Sequence, residues 1–258
     1  MFDYEIIEKD NTIRITAYHG GPRAEVPDTI AGTPVTEIGP YAFSRTEITL
    51  LDLPKTVRRL GRYALYGCAG LKEIRFSSAL TDIGAGAFTG CHKIEKICIE
   101  VTEDERSHLR DVLMEIPEEL VVEYRRGGRM AILPFPEYYE EGVENTPARI
   151  IMSEMHGSGL LYRNCFADRR LRFSEYDSRF PYAMGQEHPS FLYRLTLARL
   201  MYPYELSEDA KKAYETFLKE NISQALDYFT THRDQNAVGF LMQLYRKQNH
   251  IRKNMFEL

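Results

Sequence analysis

The chain has 258 residues, of which 43% are hydrophobic and 28% charged, with a formal net charge of -5. This is the composition of a globular chain with a sizeable core, not of a disordered one. The mild acidity gives no electrostatic reason to expect nucleic acid as a partner.

No stretch approaches the ~20 consecutive apolar residues of a membrane span, so no membrane partner is expected. The opening "MFDYEIIEKDNTIRI" lacks the basic start, apolar core and small-residue cleavage site of a secretion leader. The expected location is the cytoplasm, or the cell surface if a leader has been removed. Cys68, Cys91, Cys98 and Cys165 contain no CxxC pair, which leaves reduced thiols as the default and no zinc-site spacing. No metal and no cofactor are expected.

A repeat follows the amino-terminal stretch. "VTEIGPYAF" (Val35 to Phe43), "VRRLGRYAL" (Val57 to Leu65) and "LTDIGAGAF" (Leu80 to Phe88) share one pattern, and Gly39, Gly61 and Gly84 fall 22 and 23 residues apart. After each comes a second element: "ITLLDLP" from Ile48, "LKEIRFS" from Leu71 and "IEKICIE" from Ile94. A fixed period in the twenties with this patterning predicts a stacked solenoid of about three to four coils. The apolar pairs Leu51/Leu53, Ile74/Phe76 and Ile97/Ile99 are spaced by two, as in a short strand, and should point inward. Asp52, Arg75 and Cys98 between them should point out. The pairs Ala42-Phe43, Ala64-Leu65 and Ala87-Phe88 should line the opposite wall, with the glycines at corners of positive φ. Cys68 and Cys91 take the same place in successive coils and read either as a buried thiol ladder or as a redox or metal pair.

The detailed form, "IG..AF.GC..L..I", resembles the BspA-like subclass of bacterial leucine-rich repeats over roughly residues 4 to 100. The lead-in "TIRITAYHGGPRAEVPDTIAGTPVTEIG" is similar to the entry of such arrays, although the coil around Ser44 to Ile48 is a residue short and lacks the Gly-Cys pair.

Beyond Glu100 the period stops. Thr102 and Glu105 form a capping-box pattern ahead of Leu109, Val112, Leu113 and Ile116, predicting a helix that covers the open end of the solenoid. "LVVEYRRGGRMAILPFP" predicts a hairpin about Gly127-Gly128. Residues 137–185 are polar and aromatic-rich with weak periodicity. Helices are predicted over Ser190 to Tyr202, after Ser207, around Ile222 to Phe229 and around Val238 to Tyr245, joined by "HRDQ" and "KQNH" linkers. Phe256 to Leu258 should leave the last pair incomplete or capped by a partner. This half, from "PEYYEEGVENTPARI" through "HGSGLLYRNCF", "EYDSRF" and "YPYELSEDA", resembles a region that follows BspA-like repeats in bacterial proteins. That resemblance implies a domain arrangement and no activity.

The expected class is α+β, with a solenoid over 1–100, a capping helix and linker over 101–116, and a second domain over 117–258. Within the last, a hairpin and irregular region run to about 188 and helix pairs over 189–258.

Chemistry-bearing patterns are sparse. "HGSG" (His156 to Gly159) admits an anion-binding turn or a nucleophilic Ser158, but GxxxxGK[ST], GxGxxG and GxSxG are all absent. Cys165 with His156 or His188 could form a thiol-imidazole pair. Glu137, Glu140, Glu141 and Glu144 read as a solvated acidic turn or as metal or acid-base groups. Arg163, Arg169, Arg170 and Arg172 beside Tyr162 and Phe166 have a faint nucleic-acid character, which ion pairs with that acidic turn explain equally well.

The leading expectation is a non-catalytic interaction or scaffold protein with another protein as partner. Its face would be formed by Thr49, Asp52, Lys72, Glu73, Arg75, Glu95, Lys96 and Cys98, mixed in charge as a protein surface requires. The alternative is a small-ligand-binding or enzymatic second domain centred on 137–185. A surface adhesin, implied by the wider BspA-like group, is a third.

Overall fold

In the computed structural model, residues 1–145 and 150–255 are described, with side chains described outside 143–153 and 247–255. The chain opens with the antiparallel pair β1 (Phe2–Ile7) and β2 (Thr12–Tyr18), followed by β3 (Arg23–Glu25), β4 (Thr29–Ile30) and β5 (Thr33–Ile38). The repeat then supplies β6 (Leu50–Asp52), β7 (Arg59–Leu60), β8 (Glu73–Ser77), β9 (Asp82–Ile83) and β10 (Lys96–Glu100). These sort into two walls. One sheet runs in the order β1-β2-β5-β7-β9, and the other contains β3, β6, β8 and β10, with parallel pairing throughout the repeat.

The alternation works as expected: Leu51, Leu53, Ile74, Phe76, Ile97 and Ile99 are all buried. The apolar-x-x-apolar opening of each repeat builds a sheet of its own, that of β5, β7 and β9. Its short segments hydrogen-bond coil to coil. Ala42-Phe43, Ala64-Leu65 and Ala87-Phe88 are buried in a third, turn-rich wall.

The glycines act differently from expectation. Gly39, Gly61 and Gly84 are not among the positive-φ positions. A Cβ on Gly61 would stand 2.6 Å from the Pro40 nitrogen, and one on Gly84 would stand 2.2 Å from the Arg62 nitrogen. Close approach of stacked backbones requires them. The left-handed positions lie further on, at Tyr41, Tyr63 and Gly86 and again at Arg45, Gly67 and Gly90.

The solenoid extends past Glu100. Strand β11 (Leu120–Arg126) lies parallel to β10 and β12 (Arg129–Phe135) returns antiparallel, so the predicted hairpin completes the second wall in the order β12-β11-β10-β8-β6-β3. Five parallel strands make about five turns. Between β10 and β11 lies α1 (Leu109–Glu115), whose Leu109, Val112 and Leu113 are buried. The capping box at Thr102 does not form. The Thr102 N–H donates to Ser78 Oγ at 3.0 Å, Glu105 adopts φ 63°, and His108 occupies the N-cap instead. Helix α1 still terminates the turn wall, through Glu115. In each coil, N–H groups of the turn wall donate to carbonyls of the next coil, as Leu65 does to Ala87 at 3.0 Å. Where no coil follows, the Glu115 carboxylate accepts from Gly86 and Phe88, both at 3.1 Å.

The remaining elements are the hairpin β13 (Tyr139–Asn145) and β14 (Ile150–His156), α2 (Gly159–Arg163), β15 (Phe166–Ala167), β16 (Arg170–Leu171), α3 (Phe173–Ser178) and α4 (Phe180–Gln186). Four longer helices follow: α5 (Pro189–Met201), α6 (Glu208–Glu220), α7 (Ile222–Thr231) and α8 (Gln235–Met255). Ser207 caps α6 as predicted, accepting from the Ala210 N–H at 3.2 Å. His188 caps α5, its ring accepting from the Ser190 N–H at 3.3 Å. The "KQNH" linker is not a linker: it contains no Gly or Pro to stop a helix and lies within α8. Phe256 to Leu258 lie outside the described residues. One continuous apolar core runs from Ile13 in the first coil to Tyr214 in α6, and a second, smaller cluster joins α5 to α8. No helix among the described residues is long and apolar enough to cross a membrane.

Candidate interaction face

The outward side of the five-coil sheet carries its side chains in register. Glu25, Asp52, Arg75, Cys98 and Glu123 form one row across β3, β6, β8, β10 and β11, and Glu73 and Lys96 stand side by side in the next. Thr49, Lys72 and Glu95 sit at equivalent corners just before the strands. Thr49 Oγ1 donates to the Pro22 carbonyl at 3.1 Å, and Lys72 Nζ lies 3.3 Å from Glu95. The structure therefore brings all eight predicted residues to the strand face and its leading corner.

A depression of about 600 Å³ crosses this face, lined by Asp52, Arg75, Lys96 and Cys98 over the apolar edges of Leu53, Phe76 and Ile99. Its charges are largely spoken for. Arg75 Nε donates to Glu73 at 2.7 Å, Lys96 Nζ to Glu123 at 2.8 Å, Arg125 pairs with Glu123, and Lys55 reaches Glu100 across two coils at 2.7 Å. Burial alone would raise the Glu73 and Glu123 carboxyls. The hydrogen bonds from Arg75 and Lys96, with the neighbouring cations, outweigh it and hold both below the usual carboxylate range. Asp52 moves the other way, raised by burial, because its Arg75 contact at 3.7 Å is long. Cys98 is pushed up to about 11 by burial and then by the Glu123 charge. This is a thiol without nucleophilic character at neutral pH.

The opposite sheet closes its charges into one alternating chain, Glu5–Arg14–Glu37–Arg59–Asp82, with contacts of 2.6 to 3.2 Å. Glu123 and Arg125, which complete the candidate face, escape a reading of the repeat alone, because their strand lies outside the period.

The BspA-type leucine-rich-repeat family profile, six copies of the repeat, matches residues 34–107. A leucine-rich repeat protein from Bacteroides capillosus is 32% identical, over 38% of this chain and 77% of its own, with a TM-score of 0.36. The chain belongs to the BspA-type leucine-rich-repeat family. A leucine-rich cell surface protein from Faecalibacterium prausnitzii is 23% identical over 38% of this chain and 35% of its own, with a TM-score of 0.31. The T. pallidum leucine-rich repeat protein is 23% identical over 49% and 79%, with a TM-score of 0.27. The curated proteins contain no match.

Cys68 and Cys91 of the BspA-type repeat form the thiol ladder. Both are buried, and their Sγ atoms donate to the Phe43 and Leu65 carbonyls at 3.0 and 3.2 Å. In the short coil without Gly-Cys, Thr46 stands at the equivalent position, and its Oγ1 donates within its own turn to the Phe43 carbonyl at 2.7 Å.

After the BspA-type repeat, the candidate chemistry of 137–185 becomes structural where its residues are described. Ser158 is buried, and both its N–H and its hydroxyl donate to Glu187 Oε1, at 2.7 and 2.5 Å. The hydroxyl thus meets a carboxylate and no imidazole. Cys165 donates to the Leu161 carbonyl at 3.3 Å, and His188 pairs with Ser190 at 2.8 Å, so the two do not form a pair. Glu137, Glu140 and Glu141 are exposed, and the Glu144 side chain lies outside the described residues.

Among the described residues the arginines neither form a basic patch nor pair with that acidic turn. Arg169 contacts His108, Arg170 donates to the Asp104 carbonyl, and Arg163 is fully buried. The Arg163 guanidinium donates to the carbonyls of Leu113, Ile116, Glu118, Pro136 and Gly159 and stacks 4.9 Å from Tyr138; burial pushes it down to about 10. A second buried group joins Arg199 to both Asp177 oxygens at 2.8 and 2.9 Å, with the Tyr214 hydroxyl on the same carboxylate at 2.8 Å.

Proposed function

We propose that the chain is a non-catalytic interaction protein whose five-coil strand face, centred on Asp52, Arg75, Lys96 and Cys98, receives another protein. The observation that carries this is the face itself. It is a shallow depression of about 600 Å³ presenting cations and anions in register over a narrow apolar floor. Mixed, mutually oriented charge of this kind serves partner choice and register more than affinity. It does not suit a polyanion, because the basic groups already face Glu73 and Glu123. Repeat solenoids usually bind through their extended surfaces, and the membership in the leucine-rich-repeat family supports the same reading.

The test is affinity capture from native lysate with wild type beside the double variant Asp52→Arg, Arg75→Glu. A stoichiometric protein captured by wild type and lost with the variant supports the proposal. A partner retained equally by both moves the binding surface off this face.

A further inference from the structure

The turn wall carries a ladder that ends one step short. In the coil of Tyr41, three N–H groups donate to the next coil: Tyr41 to Arg62, Phe43 to Ala64 and Arg45 to Tyr66, at 3.4, 2.8 and 2.7 Å. Tyr63, Leu65 and Gly67 repeat this toward Ala85, Ala87 and Thr89, at 3.3, 3.0 and 2.8 Å. In the last coil the equivalent donors are Gly86, Phe88 and Gly90. Glu115 satisfies the first two. Among the described residues the Gly90 N–H has no acceptor. It borders a second depression of about 640 Å³, set between the turn wall and the end of α1.

The same depression holds a cation without a counter-ion. Arg45, Gly67 and Gly90 occupy equivalent left-handed positions, with φ of 57°, 70° and 82°. Only the first carries a side chain. The Arg45 stem drapes over Gly67, whose Cβ, if present, would meet Arg45 Cγ at 3.3 Å, and its guanidinium lies 5.8 Å from the Tyr66 ring centroid. Arg45 makes no ion pair among the described residues, and an arginine at positive φ is an uncommon choice where the repeat uses glycine. His92 stands on the far side with Nδ1 engaged by Glu118 at 2.7 Å, leaving Nε2 toward solvent.

We infer that this depression is a binding site for a single carboxylate, which accepts from the Gly90 N–H in place of the missing next-coil carbonyl and pairs with Arg45. A charge-assisted acceptor of this kind uses both open donors at once. Glu115 and Glu118 on the same rim disfavour a phosphate dianion and select a monoanion. A peptide carboxylate fits the size of the depression and continues the ladder as a backbone would. The site is separate from the strand face and stands or falls independently of it.

The experiment titrates the full chain, labelled for amide detection, with an acetylated tetrapeptide bearing a free terminal carboxylate, its carboxamide, acetate and inorganic phosphate. A saturable shift of the Gly90 amide by the peptide acid is expected, weaker by ~10-fold or more for the carboxamide and for Arg45→Gln, since a charged hydrogen-bond partner is lost. Arg45 is exposed, so this variant should fold, with an unchanged Tm as the check. If acetate matches the peptide acid, the carboxylate assignment holds and the source is a small acid. The inference is overturned if no probe moves Gly90 saturably, if phosphate binds best, if Arg45→Gln binds the peptide equally, or if the Gly90 amide is protected from exchange in the free protein.

Discussion

Replacing Arg163 by Met should be among the most damaging single changes outside the repeat. The side chain is fully buried and its guanidinium reaches five backbone carbonyls. Those of Ile116, Glu118 and Pro136 have no other hydrogen bond among the described residues. Methionine roughly fills the volume but donates nothing. An orphaned buried acceptor costs roughly 1–3 kcal/mol, and three of them, less the relieved desolvation of the guanidinium, give about 4 kcal/mol. For a chain of this size that corresponds to a Tm lower by about 10 °C. Arg163→Lys should fall between, since one ammonium cannot span carbonyls from three segments. Differential scanning calorimetry, with urea unfolding as a second probe, reads this directly, and the exposed Arg169→Met should stay within ~0.5 kcal/mol of wild type. An Arg163→Met variant within ~1 kcal/mol of wild type would refute the reasoning, because those carbonyls would then find other donors at no cost.

Three further outcomes follow from the same geometry. Gly84→Ala should destabilise by ~3 kcal/mol or more in urea titration, since its Cβ would meet backbone of the previous coil at 2.2 Å where no flexible side chain can yield. Cys98, held near 11, should react with iodoacetamide at pH 8 about two orders of magnitude more slowly than an ordinary exposed cysteine, and Glu123→Gln should accelerate it. Glu73 and Glu123 have folded-state carboxyls below their unfolded values, so their contribution is present above the ordinary carboxylate range and lost as pH falls through the folded range. Acid titration of stability should therefore be flatter for Glu123→Gln than for wild type, and an identical acid limb would count against the Lys96 and Arg125 contacts.

Much of the solenoid was legible because its physics is local and periodic. Spacing by two identified Leu51/Leu53, Ile74/Phe76 and Ile97/Ile99 as inward, and the strand face followed from the residues between them. The reason for the glycines was not legible. Whether Gly61 serves a positive φ or a close approach depends on what stacks above it. The extra coil at β11 was hidden because it keeps the ladder while abandoning the period. Thr102 carried a sound capping pattern and lost it to the Ser78 hydroxyl of a neighbouring coil, a contact between residues 24 apart. Arg163 and Arg199 did carry a signal. Each has apolar or aromatic neighbours, Leu160, Leu161 and Tyr162 before Arg163 and Ala198, Leu200 and Met201 around Arg199, where a charge implies a buried network more readily than a binding patch. Apart from the Gly159 and Tyr204 carbonyls, four and five residues away, their partners lie 22 to 50 residues away and no local spacing indicates them.

The strand face is tested most directly by placing a photo-crosslinking residue at Arg75, and in a separate variant at Arg59 on the opposite sheet, then irradiating each in native lysate. The account predicts one dominant protein adduct from position 75 and none from position 59. Adducts of the same protein at equal yield from both positions, or from position 59 alone, would contradict it.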